Sequence, residues 1–185
     1  IVVSAEDHNT VPAGGCFSSA RCHAWTSYYR STDAGLTWTA GLLPGFPGDT
    51  SPLGITSPLQ SFSFVAHTSV AFDASGNVYY SAFAINTTSS GDFDLRSGRI
   101  VVAKFVNDGA DYVGATLVPA IGQGEVFPRM AVDITGGAGN GNVYLTLIGS
   151  GAGYTEFFSR STDGGATFSR PRQLPGSGLP AAPAV

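Results

Sequence analysis

One short pattern occurs twice in this chain, and the repetition limits its fold more than any other feature. Ser31-Thr32-Asp33-Ala34-Gly35-Leu36-Thr37-Trp38 and Ser161-Thr162-Asp163-Gly164-Gly165-Ala166-Thr167-Phe168 both read S-T-D-x-G-x-T-aromatic, and Arg30 and Arg160 precede them in the same register. An aspartate at the third position accepts hydrogen bonds from backbone N–H groups just downstream, and glycine supplies the positive φ that closes a turn. Threonine then restarts an extended strand, and the aromatic ring gives that strand a large side chain to bury. Each copy therefore predicts a β-hairpin corner. Lys104-Phe105-Val106-Asn107-Asp108-Gly109 stands where Arg30 to Gly35 stand in the first copy and reads as a degenerate third.

The stretches between corners repeat as well. His67-Thr68-Ser69-Val70-Ala71-Phe72-Asp73 is a predicted strand matched by Phe127-Pro128-Arg129-Met130-Ala131-Val132-Asp133, and Gly76-Asn77-Val78-Tyr79 returns as Gly141-Asn142-Val143-Tyr144. Further strands are predicted over 1–5, 24–31, 37–43, 78–85, 99–106, 112–118, 154–161 and 167–174, with long connections over 6–23, 44–61 and 86–97. Asp33, Asp108 and Asp163 space the units at about 65 residues, the kind of period at which a four-stranded propeller blade recurs. The expected fold is all-β: a β-propeller of four-stranded antiparallel blades, about three of them visible. The blades are expected over about 1–60, 61–122 and 123–180, with 181–185 opening the next. In this phase the chain opens on a second strand, so the first blade lacks its innermost one, which the last residues could supply. Closed propellers have four to eight blades, so the ring is expected to be completed by a longer propeller or by an oligomer.

Composition agrees. Of 185 residues 43% are hydrophobic and only 12% charged, against roughly 25% charged in an average domain, which argues against disorder. The net charge of −4 removes the basic footprint of a nucleic-acid binder. No apolar run is long enough to span a bilayer and no signal-peptide pattern is present. The chain opens on Ile1 rather than Met, which suggests processing or trimming, so export stays open. Cys16 and Cys22 read first as a local disulfide, which would place the chain in an oxidising compartment. A metal set of His8, Cys16, Cys22 and His23, and a pair of free thiols, are the alternatives.

The doubled motif resembles the Asp-box, or BNR repeat, of sialidases and of relatives such as sortilin-type receptors, xyloglucanases and lectin-like propellers. The alternation of a V/M-A-F/V-D strand, a G-N-V-Y strand and a corner looks like secreted bacterial sialidase-like proteins. The resemblance implies a six-bladed sialidase-like propeller, a secreted protein, a carbohydrate or glycoprotein ligand, and exo-sialidase activity if the protein is an enzyme. It also implies that Ser31, Asp33, Gly35, Trp38, Ser161, Asp163, Gly165 and Phe168 are structural, on the face opposite the usual active site. The opposite face would then gather Glu6, Asp7, His8, Arg21 and His23 from one loop, and Asp92, Asp94 and Arg96 from another. Tyr154, Glu156, Gln123 and Glu125 would join them, with His67 and Arg129 near the openings of two innermost strands.

Sialidases of this kind hold the substrate carboxylate with three arginines and use a Tyr–Glu nucleophile with an Asp acid. Phe127-Pro128-Arg129-Met130 half matches the family's first arginine motif. Arg129, Tyr154 and Glu156 are thus the catalytic candidates, and Asp7, His8, Arg21, His67, Asp92, Asp94 and Glu125 the ligand-binding ones. Asp92-Phe93-Asp94 in its Gly/Ser loop is also a candidate Ca²⁺ loop, with a solvated loop of Asx turns as the plainer reading. Two expectations about function result. The first is a secreted sialidase-family glycosidase whose catalytic set is partly outside this chain. The second is a non-catalytic lectin-like or protein-binding propeller, and a purely structural role stands behind both.

Overall fold

A computed structural model describes residues 1–7, 24–122, 124–149, 154–176 and 183–184. His8, Cys16, Arg21, Cys22, His23, Gln123 and most of 181–185 lie outside the described residues, and with them the disulfide, the alternative metal set and the next-blade strand. The strands form three antiparallel sheets. The first is β1 (Val2–Asp7), β2 (Trp25–Arg30) and β3 (Thr39–Leu42), in that order. The second runs β4 (Phe64–Phe72), β5 (Val78–Thr87), β6 (Phe93–Val106) and β7 (Asp111–Leu117). The third runs β8 (Glu125–Val132), β9 (Val143–Gly149), β10 (Thr155–Ser161) and β11 (Arg172–Gln173). Each sheet is a blade meandering outwards from its first strand. β4 and β8 pack against each other as the innermost strands, and β1 packs on β4 as β5 packs on β8. β1 therefore holds a second-strand position.

The core follows from this stacking. Along β5 the pleat sends alternate side chains to opposite faces. Val78, Tyr80, Ala82 and Ala84 join Trp25 and Phe105 in the cluster between the first and second blades. Tyr79, Phe83 and Ile85 join Leu145, Leu147 and Phe168 in the cluster between the second and third. β5 is buried on both faces, so its sequence is apolar without alternation, as expected for a covered strand. Each fully buried side chain of this kind contributes about 1.5–3 kcal/mol.

Three local features depart from the sequence reading. The 44–61 connection carries a short helix, α1 (Pro52–Ile55), and a 3₁₀ turn (Pro58–Ser61). Ser51 and Ser57 cap them, accepting from the N–H groups of Gly54 and Leu59, and each cap precedes a proline whose fixed φ suits the first helical position. The 86–97 stretch is mostly hairpin arm, with Asn86 opposite Asp94 and Thr87 opposite Phe93 after a bulge. β11 is only two residues long, because Pro171 has no N–H to offer a ladder.

Candidate functional site

The repeated corners are built alike, atom for atom. The Ser31 Oγ–H donates to Asp33 Oδ1 (2.8 Å) and its oxygen accepts from Gly35 N–H (2.8 Å). Asp33 also takes the Thr37 N–H (2.9 Å) and the Thr37 Oγ–H (2.6 Å). Ser161, Asp163, Gly165 and Thr167 repeat these contacts at 2.7, 2.8, 2.9 and 2.6 Å. Gly35 and Gly165 sit at φ of 91° and 84°, the left-handed region that the turn requires. The threonine hydroxyl first, then its N–H and the serine hydroxyl, hold both carboxylates down at about 2.

A carboxyl lowered from 3.8 to about 2 contributes stability that is present above 3.8 and lost as pH falls through 2. Asp33→Asn combined with Asp163→Asn is therefore expected to flatten the acid limb of thermal stability between pH 4 and pH 2. A limb unchanged in the double variant would show that the corners do not carry it. Among the two aromatic positions, Phe168 is buried as expected but Trp38 is 43% exposed. Trp38 donates its indole N–H to Gly35 O and lies with Val3 and Tyr29 on the outer side of the first blade, where no described residue covers it.

β4 ends in the 73–77 turn, whose Gly76 carbonyl accepts the Asp108 N–H of the degenerate corner. The turns at the ends of inner strands therefore lie beside the corners. The starts of β4 and β8 and the 88–92 turn lie at the other end of the blades.

Both inner strands carry a bulge there, at positions that the sequence repeat makes equivalent. The ladder shifts between Ala66 and Ser69 in β4 and between Val126 and Arg129 in β8. Within the bulges His67 and Phe127 adopt φ of 53° and 52°, a left-handed conformation uncommon outside glycine and concentrated at functional sites. A bulge re-aims its side chain, and these two rings meet at 4.6 Å between centroids. Phe83 also stacks on His67, at 6.2 Å between centroids. Glu6, at the end of β1, accepts the His67 N–H at 2.9 Å, and its Oε1 is 3.5 Å from His67 Nδ1. The His67 and Glu6 side chains are 41% and 34% exposed, so the cluster is open to solvent. Two residues beyond Phe127, the partly buried Arg129 guanidinium donates to Pro128 O at 3.1 Å. The result is an aromatic surface flanked by a carboxylate and an imidazole, with a guanidinium on the same strand.

The remaining candidates are placed differently. Glu125 is fully buried, and its carboxylate accepts the Ile121 N–H (2.6 Å) and the Ile100 N–H (3.3 Å), tying the β7–β8 connection to β6. Burial pushes its carboxyl above the usual glutamate range while those N–H groups pull it down. It serves the fold. Asp92 accepts from the Ser90 Oγ–H (2.9 Å), and Asp94 accepts from the Arg96 N–H (3.1 Å), the bond of an Asx turn. Among the described residues no group of three or more His, Cys, Asp or Glu is arranged to hold a metal ion. Asp7 accepts from Ser27 Oγ–H at 3.2 Å. Tyr154 stands just before β10 at φ 45°, and Glu156 is the second residue of that strand.

Phe127 was missed as a site residue. The only signal was its alignment with His67, because a left-handed bulge leaves no mark in a strand sequence.

Three antiparallel blades stacked around common inner strands, with matching corners at one end and re-aimed side chains at the other, define a sialidase-like propeller fold. No protein-family model matches the chain, and no curated protein sequence does. Among solved structures the fold is similar to the Hadza microbial sialidase, at 17% identity and a TM-score of 0.56, over 82% of this chain and 32% of that one. It is also similar to Trypanosoma rangeli sialidase with the inhibitor DANA, at 15% identity and a TM-score of 0.52, over 92% of this chain and 28% of that one. The same sialidase as its 2,3-difluorosialic acid covalent intermediate gives 15% and 0.53, over 91% and 27%. The chain thus spans about a third or less of the length of these sialidases. Among the described residues no helix is long and apolar enough to cross a membrane.

Proposed function

We propose that this chain is the glycan-facing part of a secreted sialidase-like propeller, binding an acidic sugar at the Glu6–His67–Phe127–Arg129 surface. The observation that carries this reading is the pair of left-handed bulges at equivalent places on β4 and β8, away from the corners. Aromatic faces take up the C–H faces of a sugar ring, and a few convergent polar groups fix its hydroxyls. A guanidinium pairs with a sugar carboxylate. The corners would be Asp-box hairpins that hold the blades and touch no ligand. Binding without hydrolysis is the form proposed, because Arg129 is the arginine that this surface holds among the described residues, where the resemblance implies three for a complete sialidase.

The test is titration of the chain with sialyllactose and with lactose, followed by NMR, beside a fluorogenic sialoside assay. Saturable binding of sialyllactose is expected, weakened at least tenfold in Arg129→Ala and in His67→Ala, with no turnover. Turnover that is lost in Tyr154→Phe would favour the glycosidase reading instead. Absence of binding to both sugars, or shifts confined to the corner end, would overturn the proposal.

A further inference from the structure

The two interfaces between consecutive blades are made from equivalent positions, and among the described residues both halves of that interface recur without a partner, one on the third blade and one on the first. At the first, Arg30 Nε donates to Asp108 O at 2.8 Å. At the second, Lys104 Nζ donates to Gly164 O at 3.0 Å. Arg30 and Lys104 occupy the same repeat position, and so do Asp108 and Gly164. Each blade thus reaches with a basic side chain for the same carbonyl in the next blade's corner. Beside that contact, Thr116 Oγ–H donates to Ala166 O at 3.5 Å.

In the third blade the basic position is Arg160. It is exposed and its guanidinium has no partner among the described residues. Arg172, opposite Phe158 as Thr116 is opposite Val102, stands beside it. Phe158, Arg160, Ser169 and Arg172 line an open hollow there. Its counterpart one blade back, lined by Val102, Lys104 and Thr116, has a second wall made by Asp163 to Ala166.

The other half of the interface is on the first blade, where no described residue covers it. In the third blade Leu145, Ser159 and Phe168 face the second blade and are 0%, 0% and 8% exposed. In the second, Tyr80 and Ala103 face the first and are both at 0%. Their equivalents in the first blade are Val3, Tyr29 and Trp38, an apolar patch with Val3 45% and Trp38 43% exposed.

We propose that these two faces bind each other between two copies of this chain. Arg160 of one copy donates to the Ala34 carbonyl of the other, and the Val3–Tyr29–Trp38 patch is covered by Tyr144 and Phe158. Ala34 stands where Asp108 and Gly164 stand, so the contact continues an interface already formed twice. Copies joined through unlike faces form a ring if the rotation closes and a filament if it does not. Two copies of three blades give six, within the four to eight that close a ring. This inference is independent of the glycan reading.

Light scattering of the 185-residue chain tests it, with a mass twice 19.0 kDa expected. Arg160→Glu alters an exposed side chain and Trp38→Glu a half-exposed one, and each is expected to weaken dimerisation at least tenfold. Circular dichroism confirms that both remain folded, and Trp38→Ser replaces the second if it does not. Mixing the two variants restores one intact interface, because each retains the face that the other lacks, so a mixed dimer is expected. A monomer at all concentrations would overturn the proposal and favour further blades in a longer polypeptide as the occupant. A mass that grows without limit, or a dimer insensitive to both variants, would overturn it too.

Discussion

Tyr80→Ala is expected to cost the chain about 3–5 kcal/mol, the range found when large aromatic side chains are removed from a packed core. Tyr80 is at 0% exposure in the cluster between the first two blades. Its phenol donates to Ser27 O at 2.9 Å and lies 3.1 Å from Thr26 Oγ1, both across the interface in β2. Alanine removes the ring, opens a cavity and leaves a buried carbonyl without its donor. Tyr80→Phe keeps the ring and loses only the hydroxyl, so about 1–2 kcal/mol is expected. Urea denaturation followed by tryptophan fluorescence measures both, because Trp25 belongs to the same cluster and its indole N–H donates to Leu43 O at 2.7 Å. A loss below about 1 kcal/mol for the alanine variant would mean that the first blade is not joined to the second by a continuous core.

Glu125→Ala is expected to cost about 2–4 kcal/mol, because it strands two N–H groups at a buried site. Those donors belong to Ile100, in the middle blade, and Ile121, in the connection to the third. The pH dependence distinguishes this role from that of a ligand-binding acid. Burial raises the folded value above the unfolded one, so the protonated form is favoured by folding. Its contribution is fully present below the unfolded value of 4.5 and is lost as pH rises through the folded value. The wild type should therefore lose stability on the alkaline side of 4.5, opposite in sign to the acid loss at Asp33 and Asp163. Glu125→Gln should remove that slope while leaving sugar binding intact. A slope unchanged in Glu125→Gln, or lost sugar binding in a folded variant, would overturn the structural role.

The sequence was most legible where chemistry is local. The corners needed only Ser161, Asp163, Gly165 and Thr167, whose bonds span at most four residues. The strand order followed from the recurrence of those corners and of the 67–73 pattern at 127–133. The inner-strand cluster was partly legible: His67 and Arg129 were candidates by position, whereas the contact of His67 with Phe127 was not readable. Tyr154 and Glu156 were candidates by resemblance, whereas the left-handed conformation of Tyr154 just outside β10 was not readable.

Trp38 and Phe168 show the boundary between the two kinds of information. They hold the same place in the same motif, yet one is 43% exposed and the other 8%. The amino-acid sequence by itself determined the corners, the all-β class and the repeat, because hydrogen bonds between near neighbours and the pleat of a strand depend on adjacent residues alone. Only the tertiary structure decided which side chains are covered, that Glu125 is buried, and that Glu6, His67 and Phe127 converge. Those outcomes depend on strands about 60 residues apart meeting at a blade interface, where packing and desolvation rather than local propensity set the energy.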